Sequence, residues 1–385
     1  MLRMFTVFTK EIDDADGAVS EILNGLEAAK DKMGKNSIGI VHCAEDYVND
    51  GVVKRLSLAV PFDVVGIVAR ALGGPNLVSS SALTLSVLTG DDVFLKSAVS
   101  KPVTERHHLQ ETMADLYRNA VDGLPEAPKM MAVFTPQMFT IGPDEVVDAL
   151  SREAGVPLFG CVALRVKGMS AEDAIVVHNG MTYCSSTAAV AIAGNVDFKW
   201  VSVSVPADRV LGEPARVTGS VGNVITSING VSAEDYFVSH ALAERNAMNG
   251  LVFTPMVART PDGVRLTRNC IDGDGKGGVV MTACVPVGSN FIMVVMKAED
   301  VEYTARSAMK EVVKAAPNGA LIYSCAARLW ELGFPDTAER EVLAKTLAGV
   351  PWLMAYCGGE ICPQTLPGGR TVSALQNNTI VACVF

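Results

Sequence analysis

A thiol, a guanidinium and a carboxyl group stand in two short runs near the end of the chain, Tyr323-Ser-Cys-Ala-Ala-Arg328 and Tyr356-Cys-Gly-Gly-Glu360. Arg328 offers a planar fork of donors that suits a ligand carboxylate, and equally suits a salt bridge to Glu360 that would order the Gly358-Gly359 turn. Cys325 would act as a nucleophile only as a thiolate beside a base, and no Cys-His pairing is visible, so a buried, inert thiol is the competing expectation. Glu360 would accept a ligand ammonium, serve as an acid-base group, or stabilise its turn. Tyr356 and Asn377, in the same part of the chain, join these three as candidate ligand contacts.

Other constellations carry less. Cys357 and Cys362 enclose four residues, but no second Cys or His cluster follows, so no metal site is expected there. Asp272-Gly-Asp-Gly-Lys-Gly-Gly278 has Lys276 and Ala283 where a calcium loop needs oxygen, and no Gly-Lys-Ser/Thr ending that a phosphate loop needs; it reads as a turn between strands. His42 and His178 lie beside strands, where a haem or metal would recruit one of them, although a lone His is more often a hydrogen-bonded structural residue. His107-His108 falls near a helix start and faces solvent.

Positioning these groups requires an ordered scaffold, and the chain repeats one. Met131-Ala-Val-Phe134, a helix from Pro143 closed by Gly155, Val156-Pro157 and a strand ending at Gly194 match Ala320 to Cys325, a helix capped by Asp336 with Glu339 three residues on, Gly349, Val350-Pro351 and Asn378 to Phe385. A fainter copy runs from Ser37 through Val60-Pro61 to Gly90. Each Val-Pro forces extended backbone into the next strand. A first helix is expected from Asp16 on the stripe Ala18, Ile22, Leu26, Ala29 and Met33, with further helices over Glu105 to Val121, Ala233 to Ala243 and Asp300 to Lys314. Trp200 to Lys297 otherwise reads as short strands, Gly250 to Phe253 among them. Strands apolar on both faces between amphipathic helices predict a mixed α/β (α+β) fold, with layered β-sheets flanked by helices and built from duplicated strand-helix-strand-strand units. A cleft between such units is a natural ligand site.

The chain of 385 residues favours two domains, 1–197 and 198–385. A net charge of −10 with scattered Lys and Arg argues against nucleic acid and against an anionic membrane surface. The absence of a long apolar run and of a signal-peptide pattern predicts a cytoplasmic protein, and nine Cys fit reduced buried thiols.

The stretch Gly222 to Phe237, Arg265 to Asp274, Val285-Pro-Val-Gly-Ser289, Tyr323 to Arg328, Gly358-Gly-Glu-Ile361 and Gln376-Asn-Asn-Thr379 together resemble the FIST (F-box and intracellular signal transduction) family. The amino-terminal part is similar to the FIST N region and the rest to FIST C. The resemblance implies a sensory module that binds a small polar metabolite such as an amino acid. With no output domain left after Phe385, it would report to a separate kinase, cyclase or chemoreceptor chain. It also implies an alternative, a haem-binding nitric oxide sensor, as one branch of the family looks to be; the residues themselves leave a further one, a Cys-dependent enzyme with Cys325, Glu360 and Arg328 as nucleophile, acid-base group and anion clamp. The family's Gly-Cys-Ser-Thr-Ala-Gly-Glu-like motif is replaced here by Gly66 to Leu72, and the His of a His-Asn-Gln-Thr motif by Gln376, which removes a candidate haem ligand.

Overall fold

The computed structural model describes residues 1–138, 141–164, 174–206, 208–242, 255–333 and 335–385. The expected strand at Gly250 to Phe253 lies outside the described residues. Three six-stranded sheets, each packed on helices, and a fourth sheet of small strands make a mixed α/β fold.

The three sheets share one strand order. In the first, Arg3–Thr9 pairs with Leu83–Gly90, which pairs with Asn36–Cys43, which lies parallel to Val64–Val68. The second places Val93–Val99, Ala188–Gly194, Met130–Pro136 and Leu158–Ala163 in the same order and directions. The third does so with Lys199–Val203, Ile380–Val384, Ala320–Cys325 and Trp352–Cys357. Each unit therefore begins with an edge strand and a helix (Ala15–Ala28, Leu109–Val121 or Ala298–Lys314) that precede the pattern visible in sequence. Lys199–Val203 is that edge strand in the third unit.

Two glycines show how tightly the parallel pairs are built. A Cβ on Gly66 would sit 1.7 Å from the Val41 carbonyl oxygen, and one on Gly160 would sit 1.9 Å from that of Val133. These positions correspond by register, Val41 facing Gly66 and Val133 facing Gly160.

The units interlock by exchanging hairpins. Arg70–Gly74 and Leu77–Ser79, from the first unit, extend the third sheet; Val176–His178 and Met181–Tyr183, from the second, extend the first; Gly359–Thr365 and Thr371–Gln376, from the third, extend the second. In each case one strand of the hairpin pairs with the neighbour's sheet and the other becomes the new edge of that sheet. The inner faces of all three sheets form one apolar core, and the helices cover the outer faces. On the inside, His42, Phe134 and Tyr323, at corresponding positions of the three units, meet with ring centroids 5.5–6.5 Å apart.

Between the edge strand and helix of the third unit the chain forms the fourth sheet. Val210–Val221 pairs with Asn290–Val294 at one end of the strand order and with Val224–Ile228 near the other, so the sheet closes into a small barrel. Phe237, from the helix Ala233–Ser239, fills its core. Gln364 and Gln376 side chains donate to the Arg265 carbonyl, and Thr282 donates to Asn377 Oδ1, fastening the barrel to the exchanged hairpin 359–376.

Candidate functional site

The five residues singled out from sequence are almost entirely buried: Arg328, Tyr356 and Glu360 at 0%, Asn377 at 2% and Cys325 at 4% exposure. Arg328 pairs with Glu339, not with Glu360. Its helix, Ala326–Leu332, packs under the helices of its own unit, whereas the strand carrying Glu360 has crossed into the second unit's sheet, opposite Cys161. Arg328 Nε donates to Ser324 Oγ (3.1 Å), Nη1 to Thr304 Oγ1 (3.0 Å), and Nη2 to the Val301 carbonyl (3.2 Å) and to Glu339. Ser324 Oγ also donates to Glu339 Oε2 at 2.8 Å. Glu339 is thus an interior counter-ion and not a helix-capping acid. Asp336, expected as the cap, instead faces Arg340 at 3.3 Å, and Thr337, which precedes the helix Ala338–Thr346, makes no side-chain cap. The Tyr356 hydroxyl belongs to the same cluster, its pKa raised by burial and by Glu339.

Glu360 lies apart from that ion pair. Thr379 Oγ1 donates to its Oε2 at 2.5 Å and the Cys357 thiol faces its Oε1 at 3.4 Å. Burial raises its pKa to about 8, so the carboxyl group is mainly protonated at neutral pH. Burial and then Glu360 raise the Cys325 thiol, holding it protonated. A thiol in that state is a poor nucleophile, and Arg328 is committed to Glu339. All nine cysteines are free, and all but Cys184 and Cys284 are buried.

The space for a ligand lies elsewhere. A cleft of about 600 Å³ opens where the helix Pro143–Ala154, the barrel strand Arg265–Gly273 and the exchanged strand Thr371–Gln376 converge. Asp144, Asp148, Asp262, Arg152, Arg268 and Arg370 supply its charges, and Val156, Pro157, Val264, Leu266, Pro286 and Leu375 supply apolar wall. Asp262 and Arg370 face each other at 3.6 Å, and Arg152 donates to Gln110 Oε1 at 3.0 Å. Arg268 is different. It is 2% exposed and donates to the carbonyls of Cys284 (3.3 Å), Thr267 (3.0 Å) and Leu375 (2.9 Å), with no carboxylate among these partners. Burial lowers its pKa, and Asp144 and Asp148 act in the opposite direction.

Asp144 and Asp148 stand four residues apart on one helix, hence on one face. Asp144 Oδ2 accepts from the Cys284 backbone N–H at 3.0 Å, while its Oδ1 is buried without a hydrogen-bond partner, as is Ser151 Oγ on the same wall. Asp148 is open to solvent on the cleft wall, and desolvation by the surrounding protein, then Asp144, raises its pKa to about 6. An interior cation paired only with neutral oxygens, beside carboxylates that repel each other, is a setting for a ligand carrying both signs of charge.

Sequence reasoning passed over Arg268, although the signal was there. On the strand Arg265–Gly273, Leu266, Arg268 and Cys270 share a face, and a charge between two buried apolar residues is anomalous. Asn377, which was chosen, serves as a strut: its Nδ2 donates to the Gly358 carbonyl at 3.2 Å while its Oδ1 accepts from Thr282.

Residues 37–231 match the FIST N domain model and residues 233–363 the FIST C domain model. The chain belongs to the FIST family. FIST domains are associated with sensory signal transduction. No curated protein matches this FIST protein. Among solved structures it is similar to a cyanuric acid hydrolase described in terms of structural concatenation (12% identity, 68% of this chain and 82% of the other, TM-score 0.28). It is also similar to the cyanuric acid hydrolase from A. caulinodans (10% identity, 100% of this chain and 99% of the other, TM-score 0.36). At those scores the likeness supports no conclusion about the chemistry of this FIST protein.

Haem, present in the resemblance, would need an axial ligand such as a His or a thiolate. Among the described residues no His lines the cleft, and burial and Asp144 raise the pKa of the Cys284 thiol in its wall. His42 is packed among the rings of Phe134 and Tyr323, and burial lowers its pKa to about 3. His178 Nε2 lies 2.9 Å from Ser97 Oγ, which donates to Asp63. No described helix is long and apolar enough to cross a membrane.

Proposed function

We propose that this FIST protein is a sensor of a small zwitterionic metabolite of the amino-acid class, bound in the cleft beside Arg268, and that it signals through a separate chain such as a kinase, cyclase or chemoreceptor. One observation carries this: the Arg268 guanidinium, buried against carbonyl oxygens, lines the same cleft as Asp144 and Asp148. The ligand carboxylate takes the remaining donor capacity of Arg268, its ammonium lies against Asp144 and Asp148, and its side chain rests on the apolar wall.

The cleft also explains how binding would be reported. Arg268 belongs to the barrel, the two acids to a helix of the second unit, and the third wall to the hairpin donated by the third unit. A ligand held by all three favours the arrangement in which they are closest. It shifts the population by its differential affinity for that arrangement, altering the surface a partner chain meets. Asn377 and Gln376 stand behind the third wall as struts. A thermal-shift screen against amino acids, organic acids and amines tests this: a fitting ligand at ~100 times its dissociation constant adds about 2.7 kcal/mol. Stabilisation by amino acids, and not by the corresponding amine or acid alone, is the expected pattern; stabilisation only by simple acids or only by amines would overturn the zwitterion assignment.

A further inference from the structure

Away from the cleft, the turn before the helix Leu109–Val121 carries Glu105, His107 and His108, all exposed, with one potential ligand atom from each lying within 4.8 Å of the others. His107 Nδ1 is 3.3 Å from Glu105 Oε2, and the two imidazole rings have centroids 3.9 Å apart. We propose that these three side chains form a surface site for a late first-row divalent cation such as Zn²⁺.

Two imidazoles and a carboxylate are borderline donors of the kind that Zn²⁺ takes, with water completing the coordination sphere. Ordinary helix surfaces do not bring adjacent side chains together, because neighbours in sequence point about 100° apart. Here Glu105 is extended and immediately precedes the short 3₁₀ turn Arg106–His108, so the three side chains leave a bend in the backbone and not a regular helix. The turn is also held from outside itself. Arg106, between the ligands, makes a bidentate contact to Glu145 (Nε to Oε2 2.7 Å, Nη2 to Oε1 2.9 Å), the Val103 N–H donates to the Ser185 carbonyl, and Leu109 is buried. A backbone fixed at both ends costs less to order when the cation binds. The start of a helix is an unfavourable place for positive charge, which limits the affinity without changing the donor set.

The test uses the full chain and Zn²⁺ itself, in competition with a chromophoric chelator, followed by the variants His107→Ala, His108→Ala and Glu105→Gln, with His240→Ala as control. All three site side chains are exposed, so thermal melting of the metal-free variants should match the parent protein. One equivalent of Zn²⁺ per chain, lost or weakened at least ten-fold in each His variant and unchanged in the control, is the expected result. No competition with the chelator, or binding that survives both His substitutions, would overturn the site.

Discussion

Two buried arginines separate the interior of this protein into a closed region and an open one. Arg328 meets Glu339 where both side chains are at 0% exposure, and Ser324, Thr304 and the Val301 carbonyl take its other donors. Arg268 meets three carbonyl oxygens and borders a cleft lined by Asp144 and Asp148. The first charge is neutralised by the protein, so it stabilises a packing arrangement. The second is neutralised only at a distance, so it retains capacity for a charged ligand.

The sharpest way to break the comparison is to remove one arginine. Arg328→Ala strands Glu339 in the core and should cost about 3–5 kcal/mol in denaturant unfolding, because an uncompensated buried charge is left behind. Stability unchanged within about 0.5 kcal/mol would mean that the pair is not what holds the helices Ala298–Lys314 and Ala338–Thr346 against their sheet.

A smaller effect sharpens the picture of the closed region. Glu360, raised from 4.5 to about 8, keeps its proton in the folded chain over a range where the unfolded chain has lost it. Its contribution is therefore fully present below pH 4.5 and is lost as pH rises towards 8, by up to ~1.4 kcal/mol per pH unit. Glu360→Gln should remove that part of the pH dependence of unfolding, and a slope identical to the parent's would contradict the burial argument.

Much of the scaffold was legible in the chain because local chemistry writes it. Pro143 and Gly155 bound their helix, Gly155 at φ 61°, and each Val-Pro leads into a parallel inner strand. Ala18, Ile22 and Leu26 form the buried stripe of the first helix. The exchange of hairpins was not legible, since a strand such as Gly359–Thr365 carries no local mark of whose sheet it will join. That exchange explains why Arg328 pairs with Glu339 and not with Glu360: Arg328 and Glu360 follow the adjacent parallel strands Ala320–Cys325 and Trp352–Cys357, yet Glu360 leaves that unit while Glu339, on an intervening helix, stays. The cleft was illegible for a related reason. Its walls come from residues near 148, 268 and 373, brought together only by the barrel's docking on the exchanged hairpin.

The proposed ligand belongs to the open region and not to the closed one. That placement is tested most directly by isothermal calorimetry of the amino acid that stabilises the parent protein most, on the parent, Asp148→Asn and Glu360→Gln chains side by side. Asp148→Asn should fold normally and lose at least ten-fold in affinity, about 1.4 kcal/mol, while Glu360→Gln retains the parent affinity. Full affinity in Asp148→Asn together with loss in Glu360→Gln would place the ligand in the closed cluster and contradict the account.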